Sequence, residues 1–351
     1  MEKIKVGIIG TGGISVLHLN GYRQLDYVEV AACCDIDAQK AETYAKNNNI
    51  PHWYASAEEM FKNEQLDAVS VCTWNNAHKE CTVTALKAGA HVLCEKPMAM
   101  NAQEAEEMRQ TALDCGKLLQ VGFVRRFGDD AATLKHFINE GLFGDLYYAK
   151  AQYVRRNGCP GGWFGDKRYS GGGPLIDLGV HVMDLVRYLG GGPKPISVYG
   201  AAYNNLGKNR AEGSSQGWSV EEDERFEYSV EDFATAYIRF DNGLVMQMEA
   251  AFNLNIKEDS ASVQLFGTKG GATITPQFEL FTDLAGRFVN VQTAAPVAFN
   301  FDGAFNAELK GFVDAAMGKE PCRAPAEDGV VLMRIIDAVY ESARTGHEVV
   351  L

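Results

Sequence analysis

Three side chains in this sequence could stabilise a forming oxyanion or move a proton: Lys96, Asp177 and His181. Lys96 lies in Cys94-Glu95-Lys96-Pro97, directly after an apolar run. The proline restricts the lysine backbone, and such an X-Pro bond can be cis. Read alone, Lys96 is as compatible with a solvated loop as with a catalytic cation. Asp177 and His181 stand at i and i+4, so on a helix they project from one face, with Asp184 a turn further along. A neutral imidazole beside a carboxylate suits proton transfer near neutral pH. The same pair also fits a packing histidine bonded to aspartate. It makes a poor metal site, because two ligands are too few and no His/Cys cluster supplies the rest, so no metal is expected.

A second kind of chemistry is written in Gly10-Thr11-Gly12-Gly13-Ile14-Ser15, which follows a strand-like run and opens a helical pattern. Gly10 permits a tight turn, Gly12 lets the backbone approach a pyrophosphate, and the helix start offers N–H groups to the anion. Ser15 takes the place of the usual third glycine; it is still small enough for close helix–sheet packing. Asp35 ends the next strand, roughly 20 residues on, where an acid accepts ribose hydroxyls. A carboxylate there repels a 2′-phosphate and no arginine follows at once, so NAD is expected over NADP. Alternatively Asp35 is a surface residue capping the next helix, a role open also to Asp37.

These residues need elements to hold them. Residues 3–9, 28–34, 68–73, 91–94 and 118–122 read as strands, several as unbroken apolar runs suited to parallel strands covered on both faces. Helical patterns at 38–47, 77–88 and 102–115 alternate with them, the last with Asn101 as N-cap. This rhythm predicts an α/β Rossmann domain with a doubly wound parallel sheet over residues 1–124. From residue 125 to 351 the pattern changes to an α+β domain with a largely antiparallel open sheet. A helix at 131–139, a strand at 145–154, a glycine-rich loop at 157–173 and a helix at 175–188 come first. Strands at 233–240 and 244–252 flank Asp241-Asn242-Gly243, a hairpin signal, and a second pair at 262–266 and 271–275 surrounds residues 267–270. Residues 208–227 read as an exposed loop, and helices return at 304–317 and 328–343.

Composition narrows the partners. The chain has 351 residues, more than one core usually supports, with 46% apolar and 23% charged residues. A formal net charge of −13 disfavours nucleic acid and anionic membrane. No run approaches the roughly 20 apolar residues of a membrane span. The amino terminus enters a strand pattern directly, without a signal-peptide order of segments, so a cytoplasmic location is expected. The eight cysteines, with no C-x-x-C, read as free buried thiols. One face of the predicted antiparallel sheet lacks helices, and runs such as 245–248 either cover it in a homo-oligomer, a dimer or tetramer, or fill the domain's own core.

In combination the segments Gly7 to Ser15, Thr73-Trp74-Asn75-Asn76-Ala77-His78, Gly89 to Pro97, Gln120 to Phe127, the Asp177/His181 helix and Ala326-Glu327-Asp328-Gly329 resemble the Gfo/Idh/MocA oxidoreductases, over almost the whole chain. The resemblance implies NAD as cofactor and a secondary hydroxyl of a sugar, polyol or glycoside as the site of oxidation. It implies Lys96 reaching nicotinamide and hydroxyl, His181 as general base and Asp177 orienting substrate and imidazole. Thr73, Asn75 and His78 would lie on a nucleotide-contacting loop, with Glu95 beside the nicotinamide ribose. Trp74 stands where the family usually has proline, and either stacks on the cofactor or narrows the pocket. Asn157 matches a sugar-contacting asparagine, and Arg125 joins the substrate side. Trp163 either stacks on a sugar face or is an ordinary buried aromatic. Two alternatives stay beside the dehydrogenase: an enzyme that retains NAD for glycoside cleavage or two-sugar exchange, and a non-catalytic NAD-binding regulator.

Overall fold

A computed structural model describes residues 3–207 and 224–351, so most of the loop expected at 208–227 lies outside the described residues. The chain forms two compact units, Met1–Phe127 with Asn300–Val330, and Gly128–Phe299 with Val331–Leu351. The unit boundary therefore falls a few residues beyond 124, and 300–330, assigned by sequence to the second domain, groups with the first unit.

The first unit begins β1 (Ile4–Ile9), α1 (Gly13–Arg23), β2 (Val28–Cys34), α2 (Ala38–Asn47), β3 (His52–Tyr54), α3 (Ala57–Asn63) and β4 (Ala68–Val71). It continues α4 (His78–Lys87), β5 (His91–Cys94), α5 (Ala102–Cys115) and β6 (Leu119–Val121). Among the described residues the sheet is six-stranded and parallel, in the order β3-β2-β1-β4-β5-β6. This is the doubly wound order, whose reversal between β1 and β4 opens a crevice at the carboxyl ends of the strands. β4 is buried at every position, as an inner strand covered on both faces must be. Asn101 caps α5 as expected, accepting the Glu104 N–H at 2.9 Å. Sequence patterning did not single out β3 and α3: β3 is a three-residue edge strand, too short for a periodic signal.

The second unit contains α6 (Asp129–Asn139), β7 (Leu146–Val154), α7 (Lys167–Ser170), a π-helical turn (Leu175–Gly179) running into α8 (Val180–Leu189), β8 (Pro195–Tyr203), β9 (Phe233–Phe240) and β10 (Val245–Ala251). Next come β11 (Ser260–Gly267), β12 (Gly270–Thr273), β13 (Glu279–Leu284) and β14 (Arg287–Val291). α9 (Phe301–Ala316), α10 (Ala326–Thr345) and β15 (Val349–Val350) end the chain. Among the described residues the sheet has nine strands in the order β14-β13-β12-β11-β7-β10-β9-β8-β15, antiparallel except for the β7–β10 pair. Both expected hairpins form, β9–β10 around Asp241-Asn242-Gly243 and β11–β12 around residues 268–269. The π-helical turn and α8 pack on β7, β10 and β11. Met246 and Met248 are fully buried in that core. Half of the apolar run at 245–248 thus fills the unit's own interior. On the opposite face Tyr199 and Tyr237 are 54% and 50% exposed.

The return of 300–330 to the first unit has a packing cause. Gly21 of α1 lies so close to Leu309 of α9 that a Cβ would stand 3.0 Å from its Cγ, and the Phe305 ring meets His18 edge-on at 5.8 Å. Gln120 of β6 bridges to Pro325, and the Val121 N–H donates to the Ala324 carbonyl at 2.9 Å.

Candidate active site

At the switch point Gly10 has φ +89°, and a Cβ there would lie 2.7 Å from the Cys72 carbonyl oxygen on the end of β4. Only glycine fits such a turn without displacing the strand. Gly12 precedes α1 with no side chain capping the helix and no acidic residue in its first turn. A Cβ on Gly12 would meet nothing within 4 Å. Open space over an uncapped helix start is what a pyrophosphate needs. Ser15 is fully buried and donates to the Gly12 carbonyl at 2.6 Å, tightening the turn.

Asp35 leaves β2 with both carboxylate oxygens engaged. Oδ2 accepts from the Thr11 N–H at 2.8 Å and the Thr11 hydroxyl at 2.9 Å, while Oδ1 accepts from the Asp37 N–H at 3.0 Å. The helix-capping role falls to Asp37, whose carboxylate accepts from the Gln39 and Lys40 N–H groups. Asp35 is therefore a pre-oriented acceptor, partly exposed beside the glycine turn, where a ribose diol would bind. The two loops at the crevice are tied together by His78. Its buried ring lies 2.7 Å from the Pro97 carbonyl through Nδ1 and 3.2 Å from the Thr73 carbonyl through Nε2. Burial pushes its pKa down, against those carbonyl bonds, which push it up. The placement makes His78 a clasp between the Thr73 loop and the Lys96-Pro97 turn, while Thr73 and Trp74 are partly exposed.

Glu95 and Lys96 follow β5 at the same strand-end edge, and the Lys96–Pro97 bond is cis. Lys96 is partly exposed; Glu95 is buried. Glu95 Oε2 accepts the Lys96 N–H at 3.1 Å and Oε1 meets His18 Nε2 at 2.8 Å. Burial pushes the Glu95 carboxyl up, but the His18 bond and the charges of His18 and Lys96 outweigh it and hold the group below the usual carboxylate range. His18, fully buried on α1, was not foreseen from sequence. In the same unit Arg126 is buried against Asp328 at 2.7 Å and the Arg323 carbonyl at 2.7 Å, whereas Arg125 is partly exposed.

In the second unit the polar stripe sits where the helix is wound more widely. Asp177 lies in the π-helical turn and is 8% exposed, His181 is partly exposed one turn on in α8, and Asp184 is buried. π-Helical turns are rare and concentrate at functional sites. The entry to this turn is fixed by Glu231, whose carboxylate accepts the Gly173 N–H at 3.0 Å and the Leu175 N–H at 3.2 Å. The Tyr340 hydroxyl adds a third bond to Glu231 at 3.0 Å. A Cβ on Gly173 would stand 2.2 Å from the Glu231 carbonyl oxygen, which accounts for glycine there. Neither Glu231 nor Tyr340 carried any motif in the sequence. The glycine-rich loop joins the same neighbourhood: Cys159 shares a buried cluster with Leu178, Val230 and Phe252, and Asn157 bridges to Asn253. Trp163 packs on Phe164 with ring centroids 3.9 Å apart and keeps part of its surface exposed.

A doubly wound sheet with a glycine turn at an uncapped helix start, a held carboxylate beside it and a lysine at its carboxyl edge is the arrangement of a dinucleotide-binding fold. Residues 4–123 match the model of the oxidoreductase family with an NAD-binding Rossmann fold, and residues 131–273 match its C-terminal domain. The chain belongs to the Gfo/Idh/MocA oxidoreductase family. It is 34% identical over 351 residues to a D-glucoside 3-dehydrogenase of Escherichia coli, covering 99% of this chain and 97% of the relative. An aldose–aldose oxidoreductase of Caulobacter crescentus, solved with glycerol, matches with TM-score 0.80 and 25% identity over the whole of both chains. A levoglucosan dehydrogenase solved with NADH shares the fold at TM-score 0.85 and 22% identity over 99% of each chain.

Proposed function

We propose that the protein oxidises a secondary hydroxyl of a sugar or glycoside to a ketone, with position 3 of a D-glucoside as the preferred target. The observation that carries this reading is the carboxylate–imidazole stripe, Asp177 and His181, on a helix whose entry is locked by Glu231, in a chain similar along its length to a D-glucoside 3-dehydrogenase. NAD when bound supplies the hydride acceptor. Gly10, Gly12, Gly13 and Ile14 would hold its pyrophosphate, Asp35 its ribose, and Thr73, Trp74, Asn75 and Glu95 the nicotinamide side. Lys96 places an ammonium group at the reacting hydroxyl and stabilises the negative charge that grows there. His181 takes the hydroxyl proton, and Asp177 fixes ring and substrate. Arg125, Asn157 and Trp163 complete the carbohydrate side. All eight cysteines are free thiols, which supports a reducing, cytoplasmic setting.

The test is a panel of glucosides, free sugars and cyclitols with NAD, following NADH absorbance and the product by NMR. The expected outcome is a 3-ketoglucoside with stoichiometric NADH; activity confined to cyclitols would overturn the glucoside assignment. The similarity to an aldose–aldose oxidoreductase favours one second reading, in which the cofactor stays bound and two sugars exchange redox state. Its mark is product formation without net NADH.

A further inference from the structure

Beneath the Lys96 turn lies a chain of buried polar groups that the hydride-transfer chemistry does not account for. Glu95 Oε1 meets His18 Nε2 at 2.8 Å, His18 Nδ1 meets Ser70 Oγ at 2.9 Å, and Ser70 Oγ meets the Tyr22 hydroxyl at 2.7 Å. His18, Ser70 and Tyr22 are fully buried and Glu95 is 6% exposed. Proton counting orients the chain. An ionised Glu95 only accepts, so His18 Nε2 carries a hydrogen. In one arrangement the Ser70 hydroxyl donates to Nδ1 and the Tyr22 hydroxyl donates to Ser70 Oγ. Every link in that arrangement is satisfied, and it ends on the Glu95 carboxylate.

The surroundings hold that carboxylate in one place. Lys96 holds Oε2 through its N–H, and a Cβ on Gly122 would stand 3.2 Å from the same oxygen, so glycine there leaves the carboxylate its place beside β6. The titratable groups facing Glu95 are His18 from α1, Lys96 on its own turn, His78 from α4, and the Cys72 and Cys94 thiols at the strand ends. Burial keeps both thiols protonated. A buried ion pair is weak evidence for stability, since apolar packing of equal volume serves as well. Its position next to Lys96 points instead to electrostatics at the cofactor.

We infer that His18, backed by Ser70 and Tyr22, is a positioning residue that keeps Glu95 an oriented carboxylate and thereby favours the oxidised, cationic nicotinamide over the reduced one. This rests on the reading that Glu95 lies beside the nicotinamide ribose. The reason is Coulombic: a fixed negative charge stabilises a nearby cation most where water is excluded. Without the imidazole donor, the burial that raises the carboxyl's affinity for a proton is opposed by Lys96 alone, through its charge and its N–H.

The experiment titrates NAD+ and NADH separately into the full-length protein between pH 6 and pH 9, by tryptophan fluorescence, for wild type, His18→Leu and His18→Gln. In His18→Leu the NAD+ dissociation constant is expected to rise about tenfold as pH falls through the Glu95 protonation, one proton competing with binding. NADH binding should change less than about twofold, as expected for a neutral nicotinamide ring that feels little of the lost charge. His18→Gln keeps an N–H donor and should restore the pH-independent binding of wild type, a rescue that a purely structural role would not give. Should His18→Leu not fold, Glu95→Gln carries the test: its NAD+ affinity should fall relative to NADH at every pH. Wild-type-like NAD+ binding in folded His18→Leu or in Glu95→Gln overturns the inference alone; a wild type that binds neither form overturns the cofactor reading as well.

Discussion

Lys96 and His181 are assigned complementary work, one stabilising the oxygen's negative charge and the other removing its proton. Replacing either with alanine is expected to lower turnover by roughly 10²–10⁴-fold while NAD still binds, checked by steady-state kinetics beside cofactor titration. Turnover near wild type removes that residue from the assignment. Asp35 governs a different choice. Three donors aim its carboxylate at the crevice, and like charges brought together cost several kcal/mol, so Asp35→Ser should raise the NADP-to-NAD affinity ratio at least about tenfold. An unchanged ratio would show that discrimination resides elsewhere. At this scale legibility followed locality. Gly10 was readable because its backbone geometry demands its type, and Asp35 and Lys96 stood out as candidates by their strand-end positions within short segments. His18 and Glu231 were not, because their partners lie 77 and 58 residues away and a lone polar residue in an apolar pattern does not disclose what it meets.

The element that matters most is the helix carrying Asp177 and His181, whose extent was legible from its apolar pattern. Its wide first turn was not, since the Glu231 carboxylate bonded to its entry lies 58 residues away in the sequence. Those bonds predict a pH signature. Burial pushes the Glu231 carboxyl above its usual 4.5, against the Gly173 and Leu175 N–H groups and Tyr340, which push it down. A carboxyl whose folded pKa is raised binds its proton more tightly folded than unfolded. Its contribution is therefore complete below pH 4.5 and is lost as pH rises through the folded value. The stability of wild type relative to Glu231→Gln should thus decline as pH rises above 4.5, measured by urea unfolding across pH; a flat difference would contradict it. Gly173→Ala tests the same junction by crowding: a Cβ 2.2 Å from a carbonyl should cost about 1–3 kcal/mol, read as a lower unfolding midpoint.

For the molecule as a whole, the charge of −13 argues against polyanions as partners, and among the described residues no helix is long and apolar enough to cross a membrane. The uncovered face of the nine-stranded sheet is proposed to pair with a second copy of the chain. Tyr237→Glu should then shift the protein toward monomer in sedimentation velocity, whereas a wild type already monomeric would remove the proposal. The broad architecture was readable from the change of rhythm near residue 125. The discontinuity of the first unit was not, because an amphipathic helix at 301–316 carries no label for the surface it will cover. That discontinuity has a consequence for biosynthesis. While a ribosome is still translating residues before 300, the emerging nucleotide-binding fold lacks α9, and the apolar side of α1 around Gly21 stays bare until residues 301–316 have been made.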